Sequence, residues 1–206
     1  MTSAASLAET IGQRARGSSG PFVVAIDGRS GTGKSTLAAA LAERLDAALI
    51  AGDDFYAGGT ALRDDDPAAR AAACIDWTRQ RDVLAALRAG RTARWRAFDW
   101  DVFDGRLVDA PTTLAPRTVV ILEGVYAARP ELADLLDLRI LAVTQDAERE
   151  ARLIAREGTM GPWERQWHAA EAHYFAEIMR PEAFDLVFHA TLGDRHSEAS
   201  RPDEWS

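Results

Sequence analysis

The chain has 206 residues, 47% of them hydrophobic and 27% charged, a length and composition that fit one domain with a sizeable core. Its formal net charge of −8 excludes broad binding to nucleic acid or to an anionic membrane, because a phosphate-bearing partner needs a basic surface opposite it. The single cysteine, Cys74, excludes an internal disulfide and a zinc site, and no membrane span or secretory signal is apparent, so a cytoplasmic protein is expected.

Residues 1–20 are expected to be a flexible lead, with a helix around Leu7 to Arg16 followed by Gly17-Ser18-Ser19-Gly20. Phe22 to Ile26 is a short, partly β-branched apolar run and predicts a strand. Thr36 to Leu45 is built of strong helix formers and predicts a helix. Between them, Gly28-Arg29-Ser30-Gly31-Thr32-Gly33-Lys34-Ser35 has the G-x-x-x-x-G-K-[ST] spacing of a phosphate-binding loop, continued by Thr36. Gly28, Gly31 and Gly33 let the backbone turn its N–H groups toward an anion, and the helix that follows adds the positive end of its dipole. Lys34 is the one lysine among 24 lysine and arginine residues. An ammonium is a compact point charge, whereas a guanidinium is a broad planar fork that would crowd a tight loop, so Lys34 reads as a phosphate ligand. Ser35 would then hold Mg²⁺.

Ala47 to Ala51 predicts a second strand running into Gly52-Asp53-Asp54-Phe55-Tyr56, and residues 57–67, with Gly58, Gly59 and Asp64 to Asp66, predict a loop. From Asp76, a helix N-cap by type, to Gly90, a helical stop, Val83, Leu84 and Leu87 share one face. Arg94 to Val108 alternates around Asp104-Gly105 and predicts a hairpin outside the main sheet. Strands at Thr118–Leu122 and Leu138–Val143 enclose a short helix from Pro130 to Leu136. Helices over 147–157 and 162–179 and a strand over 184–189 follow, and residues 193–206 form a polar tail. Strands alternating with helices imply a mainly parallel sheet covered on both faces, with ligands at the carboxyl ends of the strands.

Ile26 to Thr36, Asp53-Asp54-Phe55-Tyr56 and Glu123-Gly124 together resemble the uridine kinase and phosphoribulokinase-like group of phosphate-loop kinases, over about residues 21–190. The resemblance implies an α/β fold of the phosphate-loop NTPase type in a single domain over 21–192, with a small β-hairpin insertion and an arginine-bearing lid. It also implies that Asp53 accepts or positions the acceptor hydroxyl, that Tyr56 lines the acceptor pocket, and that Asp76 holds sugar hydroxyls. For Asp76 a plain N-cap is an equal reading. Asp54 is either near the metal or solvated. Phe98-Asp99-Trp100 resembles a Tyr-Asp-Phe segment beside the base in nucleoside kinases, with phenylalanine in place of tyrosine. Trp95, Phe98 and Trp100 would stack a planar group or cover the hairpin. Glu123, acidic at the end of an apolar strand, fits a Mg²⁺-water contact or a hydrogen bond to the phosphate loop. Arg152 and Arg156 are the lid candidates, one turn apart on a helix, while Arg149 reads as the solvated partner of a nearby glutamate. Trp163, Trp167, Glu171, Tyr174 and Ile178 form a helical stripe that reads as core, and His168 and His173 as surface or packing residues.

The activity implied is transfer of phosphate from ATP, with Mg²⁺, to a hydroxyl of a nucleoside or ribosyl compound. A sugar acid, coenzyme precursor or natural product is the alternative acceptor. An ATP-hydrolysing regulator is the alternative function; a guanine-reading Asn-Lys-x-Asp motif is excluded because Lys34 is the sole lysine. A small-molecule partner is expected, and self-association is left open.

Overall fold

The structure, a computed structural model, describes residues 3–190. The polar tail expected over 193–206 lies outside the described residues.

Five strands make one parallel sheet: β1 (Phe22–Asp27), β2 (Ala48–Ala51), β5 (Val119–Glu123), β6 (Leu138–Val143) and β7 (Leu186–His189). Their order across the sheet is β2-β5-β1-β6-β7, with every neighbouring pair parallel. Successive side chains of a strand point to opposite faces. Accordingly Val23 and Ala25 of β1 and Val120 and Leu122 of β5 enter one core, while Val24, Ile26, Val119 and Ile121 enter the other. Both faces are buried, which is why these strands read as unbroken apolar runs instead of alternating ones.

On one face lie α1 (Ala4–Arg16) and α2 (Lys34–Leu45). The helix expected around Leu7 to Arg16 is α1, and over this span the lead is packed instead of flexible: Leu7, Ala8, Ile11 and Ala15 are buried against α2 and the sheet, and Ser3 caps the helix by accepting from the Ser6 N–H. An i, i+4, i+8 apolar spacing gave this helix a face to bury, and burial of that face outweighs the fraying typical of chain ends.

The other face is covered by α4 (Trp77–Arg88) and α6 (Pro162–His173). Helix α3 (Pro67–Ala73), which follows the predicted loop over 57–67 and has no counterpart among the predicted elements, starts where Asp66 accepts from the Ala69 N–H and Pro67 takes the first turn. Helix α5 (Asp146–Glu157) follows β6. The ribbon insertion pairs β3 (Ala93–Trp95) with β4 (Thr112–Leu114), antiparallel and separate from the main sheet. Its expected partner segment ended at Val108. Only the isolated bridge Phe98–Leu107 forms inside that range, because the aspartate-rich tip at 99–106 closes on its own hydrogen bonds.

The helix expected over 162–179 also changes winding. From Tyr174 to Ile178 it becomes a π-helical turn. Its i→i+5 bonds wind more slowly than an α-helix and rotate the following residues. Tyr174 is buried, but Ile178, expected on the same stripe, is 42% exposed. No helix among the described residues is long and apolar enough to cross a membrane.

Candidate active site

The carboxyl ends of β1, β2 and β5 lie side by side, since Glu123 is in register with Ile26 on one side and Ala51 on the other. Each strand thereby delivers a loop to one edge: the phosphate loop after β1, Gly52-Asp53-Asp54 after β2, and Glu123-Gly124 at the end of β5. The loops after β2 and β5 pass very close to each other. A Cβ on Gly52 would stand 2.7 Å from the Glu123 carbonyl oxygen, so only glycine brings Asp53 this near Glu123.

These loops open on a cavity of about 1440 Å³. Its floor includes Ser30, Gly31, Gly33, Lys34, Ser35 and Thr36, and Asp53, Asp54 and Glu123 border it. Gly33 takes a left-handed conformation at the N-cap of α2 and no side chain caps the helix. The first-turn N–H groups and the helix dipole are thus left to serve an anion. Lys34 is 8% exposed and its ammonium donates to the Arg29 carbonyl at 3.1 Å, across the inside of the loop.

Ser35 Oγ lies 3.3 Å from Glu123 Oε2, joining the two residues expected at the metal. Burial raises the Glu123 pKa to about 7, and the neighbouring Asp53 charge adds to the rise while Lys34 opposes it. Asp53 reaches into the cavity, yet the protein around its carboxyl removes enough water to raise its pKa too. Lys34 and Arg156 pull it down, and Glu171 and Asp54 push it up. Among the described residues no group of three or more His, Cys, Asp or Glu side chains is placed to hold a metal ion by itself, so the acidic groups that share this edge with the Lys34 ammonium are Asp53 and Glu123.

The sequence model of the phosphoribulokinase/uridine kinase family matches residues 23–160. The chain belongs to this family. Among solved structures, a possible uridine kinase from Bacillus stearothermophilus is 19% identical, with a TM-score of 0.63 over 88% of this chain and 98% of that one. A candidate fructose transport system kinase from Silicibacter sp. TM1040 is 24% identical, with a TM-score of 0.64 over 91% and 100%. A D-glycerate 3-kinase from Cryptococcus neoformans is 16% identical, with a TM-score of 0.62 over 90% and 93%. At these identities the likeness establishes the shared fold.

Within this member of the phosphoribulokinase/uridine kinase family, the expected phosphate-loop residues divide. Gly28, Arg29 and Thr32 do not border the cavity, whereas the other six do. Thr32 is buried with its hydroxyl donating to the Arg29 carbonyl, and a Cβ on Gly28 would stand 2.3 Å from the Ala142 carbonyl oxygen. These residues shape the loop from behind.

Two residues expected at the acceptor lie away from the cavity, and Phe98 takes its alternative place covering the hairpin. Tyr56 is buried, donates its hydroxyl to the Gly59 carbonyl at 2.6 Å and packs on Phe98 and Trp100 with ring centroids 4.9 Å away. Phe98 is likewise buried in the core, held by a hydrogen bond from its N–H to the Asp54 carbonyl. Neither borders the cavity, because the short ribbon folds its apolar side inward. Asp76 also stays outside the cavity and accepts from the Arg79 N–H at 3.1 Å, which is the N-cap reading. Trp100 does border it, 41% exposed, with its Nε1–H donating to the Asp53 carbonyl at 3.2 Å. Asp54 accepts from Trp95 Nε1 at 2.7 Å, so its carboxylate ties the ribbon to the loop after β2.

Arg152 and Arg156 face the cavity from α5, and Arg152 donates to the Gly31 carbonyl at 3.4 Å while pairing with Glu148. Arg149 is not a solvated partner of a glutamate. Its side chain is largely buried, donates to the Ser30 carbonyl at 3.4 Å and lies 3.7 Å from Asp146.

Two fully buried carboxylates, outside the cavity lining and absent from the expected site residues, brace the phosphate loop. Asp27 is fully buried, and its oxygens accept from the N–H groups of Gly28, Tyr126 and Ala128 and from the Tyr174 hydroxyl. Burial raises its pKa to about 6, against the pull of those donors and of Lys34. Glu171, read as one member of an apolar stripe, is fully buried against Ser30. The available signal in both cases was a carboxylate inside an otherwise apolar run, which is costly unless donors await it.

Proposed function

We propose that the chain is an ATP-dependent kinase that phosphorylates a hydroxyl of a small molecule, with a nucleoside or ribosyl compound as acceptor. The observation that carries this reading is one cavity that contains both a phosphate loop and a strand-end carboxylate, Asp53. Its volume exceeds the ~300–1,000 Å³ usual for one small ligand and suits a nucleotide and an acceptor together.

In this reading the phosphates lie over Gly31, Gly33 and the start of α2 at Lys34 to Thr36, with Lys34 turned from the Arg29 carbonyl onto the β/γ-phosphates. Ser35 and Glu123 would hold Mg²⁺, and the ion would supply positive charge to offset that of the phosphates. Asp53 accepts the proton of the attacking hydroxyl, and its raised pKa makes it a stronger base than an ordinary aspartate. Arg152 and Arg156 act as the lid cations and stabilise charge on the transferring group. Beside Asp53, Trp100, Trp163 and Trp167 border the cavity, the last two stacked with centroids 6.0 Å apart. Their faces offer a planar acceptor ring the contact that Tyr56 and Phe98 do not supply.

The test is ADP release from ATP against a panel of nucleosides, nicotinamide riboside, pantothenate and simple sugar acids. A nucleoside or ribosyl compound should raise the rate. Activity confined to another acceptor would replace the substrate part of the proposal, and acceptor-independent release at an equal rate would replace the kinase by a nucleotide-hydrolysing regulator.

A further inference from the structure

Helix α6 does more than cover the sheet. Both carboxylate oxygens of Glu171 meet one residue of the phosphate loop: Oε2 accepts the Ser30 N–H at 3.1 Å, and Oε1 accepts the Ser30 hydroxyl in a very short bond. Trp167, one turn earlier on the same face, donates its Nε1–H to that hydroxyl oxygen at 3.2 Å. Ser30 is thus held at three points by α6, and it borders the cavity.

A fully buried carboxylate is an expensive way to fill space, since an apolar side chain would cover the sheet without desolvating a charge. Its chemistry suits a different purpose. Only a carboxylate presents two acceptor oxygens and no donor, which matches one N–H and one O–H at once. The loop itself is permissive, with positive φ at Gly28, Gly31 and Gly33 on either side of Ser30. Fixing Ser30 removes much of that freedom, and it sends the Ser30 N–H toward α6 while leaving the start of α2 to face the cavity.

We propose that Glu171 is a positioning residue for the phosphate loop, with Trp167 as its second contact, and that the pair sets the loop in its nucleotide-receiving shape before the nucleotide arrives. Ordering the loop in advance lowers the cost of binding phosphate. This inference rests on the reading that the loop takes a nucleotide.

Glu171→Gln separates positioning from plain packing. The amide places an NH₂ group against one of the two Ser30 donors, so the loop loses a bond, whereas the fold loses only a buried charge. Calorimetric titration with ADP and Mg²⁺ should show affinity about ten-fold weaker in Glu171→Gln and about three-fold weaker in Trp167→Phe, which keeps the aromatic ring. Thermal unfolding midpoints of both should stay within about 3 °C of wild type, or rise in the glutamine variant. Should Glu171→Gln fail to fold, Trp167→Phe decides alone. Wild-type affinity in a folded variant, or weakening seen only with a collapsed midpoint, overturns the role of Glu171. Absence of ADP binding by the wild-type protein would instead overturn the nucleotide reading, and this inference with it.

Discussion

The Tyr174 hydroxyl donates to Asp27 Oδ2 at 2.9 Å, so the last turn of the covering helix reaches the carboxylate that opens the phosphate loop. Both groups are buried, and Asp27 is also the hub that fixes the Tyr126 and Ala128 N–H groups after β5. Because the folded pKa of Asp27, about 6, lies above its ordinary 3.8, the native state binds more protons in between. The contribution of Asp27 to stability is therefore fully present below the unfolded value and is lost as pH rises through 6.

Tyr174→Phe removes a donor that supports the ionised form of Asp27. The variant should be destabilised by about 1–2 kcal/mol at pH 8 and by less at pH 5, where the carboxyl is protonated. Urea unfolding at the two pH values measures the difference. An equal loss at both would show that the hydroxyl does not act through the Asp27 charge.

Glu123 follows the same sign, with a folded pKa of about 7 above the ordinary 4.5. Without Mg²⁺, its contribution should fall by ~2 kcal/mol as pH rises from 5 to 8, and Glu123→Gln should flatten that slope. Adding Mg²⁺ at pH 8 should stabilise wild type more than Glu123→Gln. Equal stabilisation would remove Glu123 from the metal site.

Asp53→Asn keeps the shape of the loop after β2 but removes the base. Phosphoryl transfer should fall ~10³-fold while ATP affinity changes little. Steady-state kinetics with the acceptor found by ADP release, together with ATP titration, separate the two effects, and an unchanged rate would take Asp53 out of the chemistry.

Lys34→Arg tests the lone lysine. The Lys34 side chain is buried at the cavity edge, with its ammonium on the Arg29 carbonyl, and the broader planar guanidinium is expected to crowd the loop there. ATP affinity should fall at least ~10-fold. Full activity would mean that the single lysine is an accident of composition.

Gly52→Ala places a Cβ 2.7 Å from a backbone oxygen that cannot swing aside. Chemical unfolding should show a loss of about 2 kcal/mol or more, and transfer should drop as Asp53 is pushed from Glu123. Wild-type stability would mean that the two strand ends can part freely.

Much of the fold was legible because it depends on short-range pattern. Apolar runs marked β1, β5 and β6, and the loop spacing marked where β1 passes into α2. The ribbon was legible as an insertion but not in its pairing, since alternation over 94–108 fits several registers and β4 lies beyond it. The sequence leaves Phe98 open between stacking a ligand and covering the hairpin, and places Tyr56 at the acceptor only by resemblance, because an aromatic beside a site looks the same whether it faces a ligand or a core. Burial separated them from Trp100.

The sequence by itself determined the phosphate loop, the order of elements and the carboxylates that follow the strand ends, for each is a local matter of residue type and spacing. Tertiary structure alone decided which of those groups meet. Ser35 and Glu123 are joined across parallel strands far apart in sequence. The stripe Trp163, Trp167, Glu171 and Tyr174 showed only a helix with one face to bury. Which donors waited for Glu171 depended on where the sheet placed Ser30, a relation that no spacing along the chain encodes.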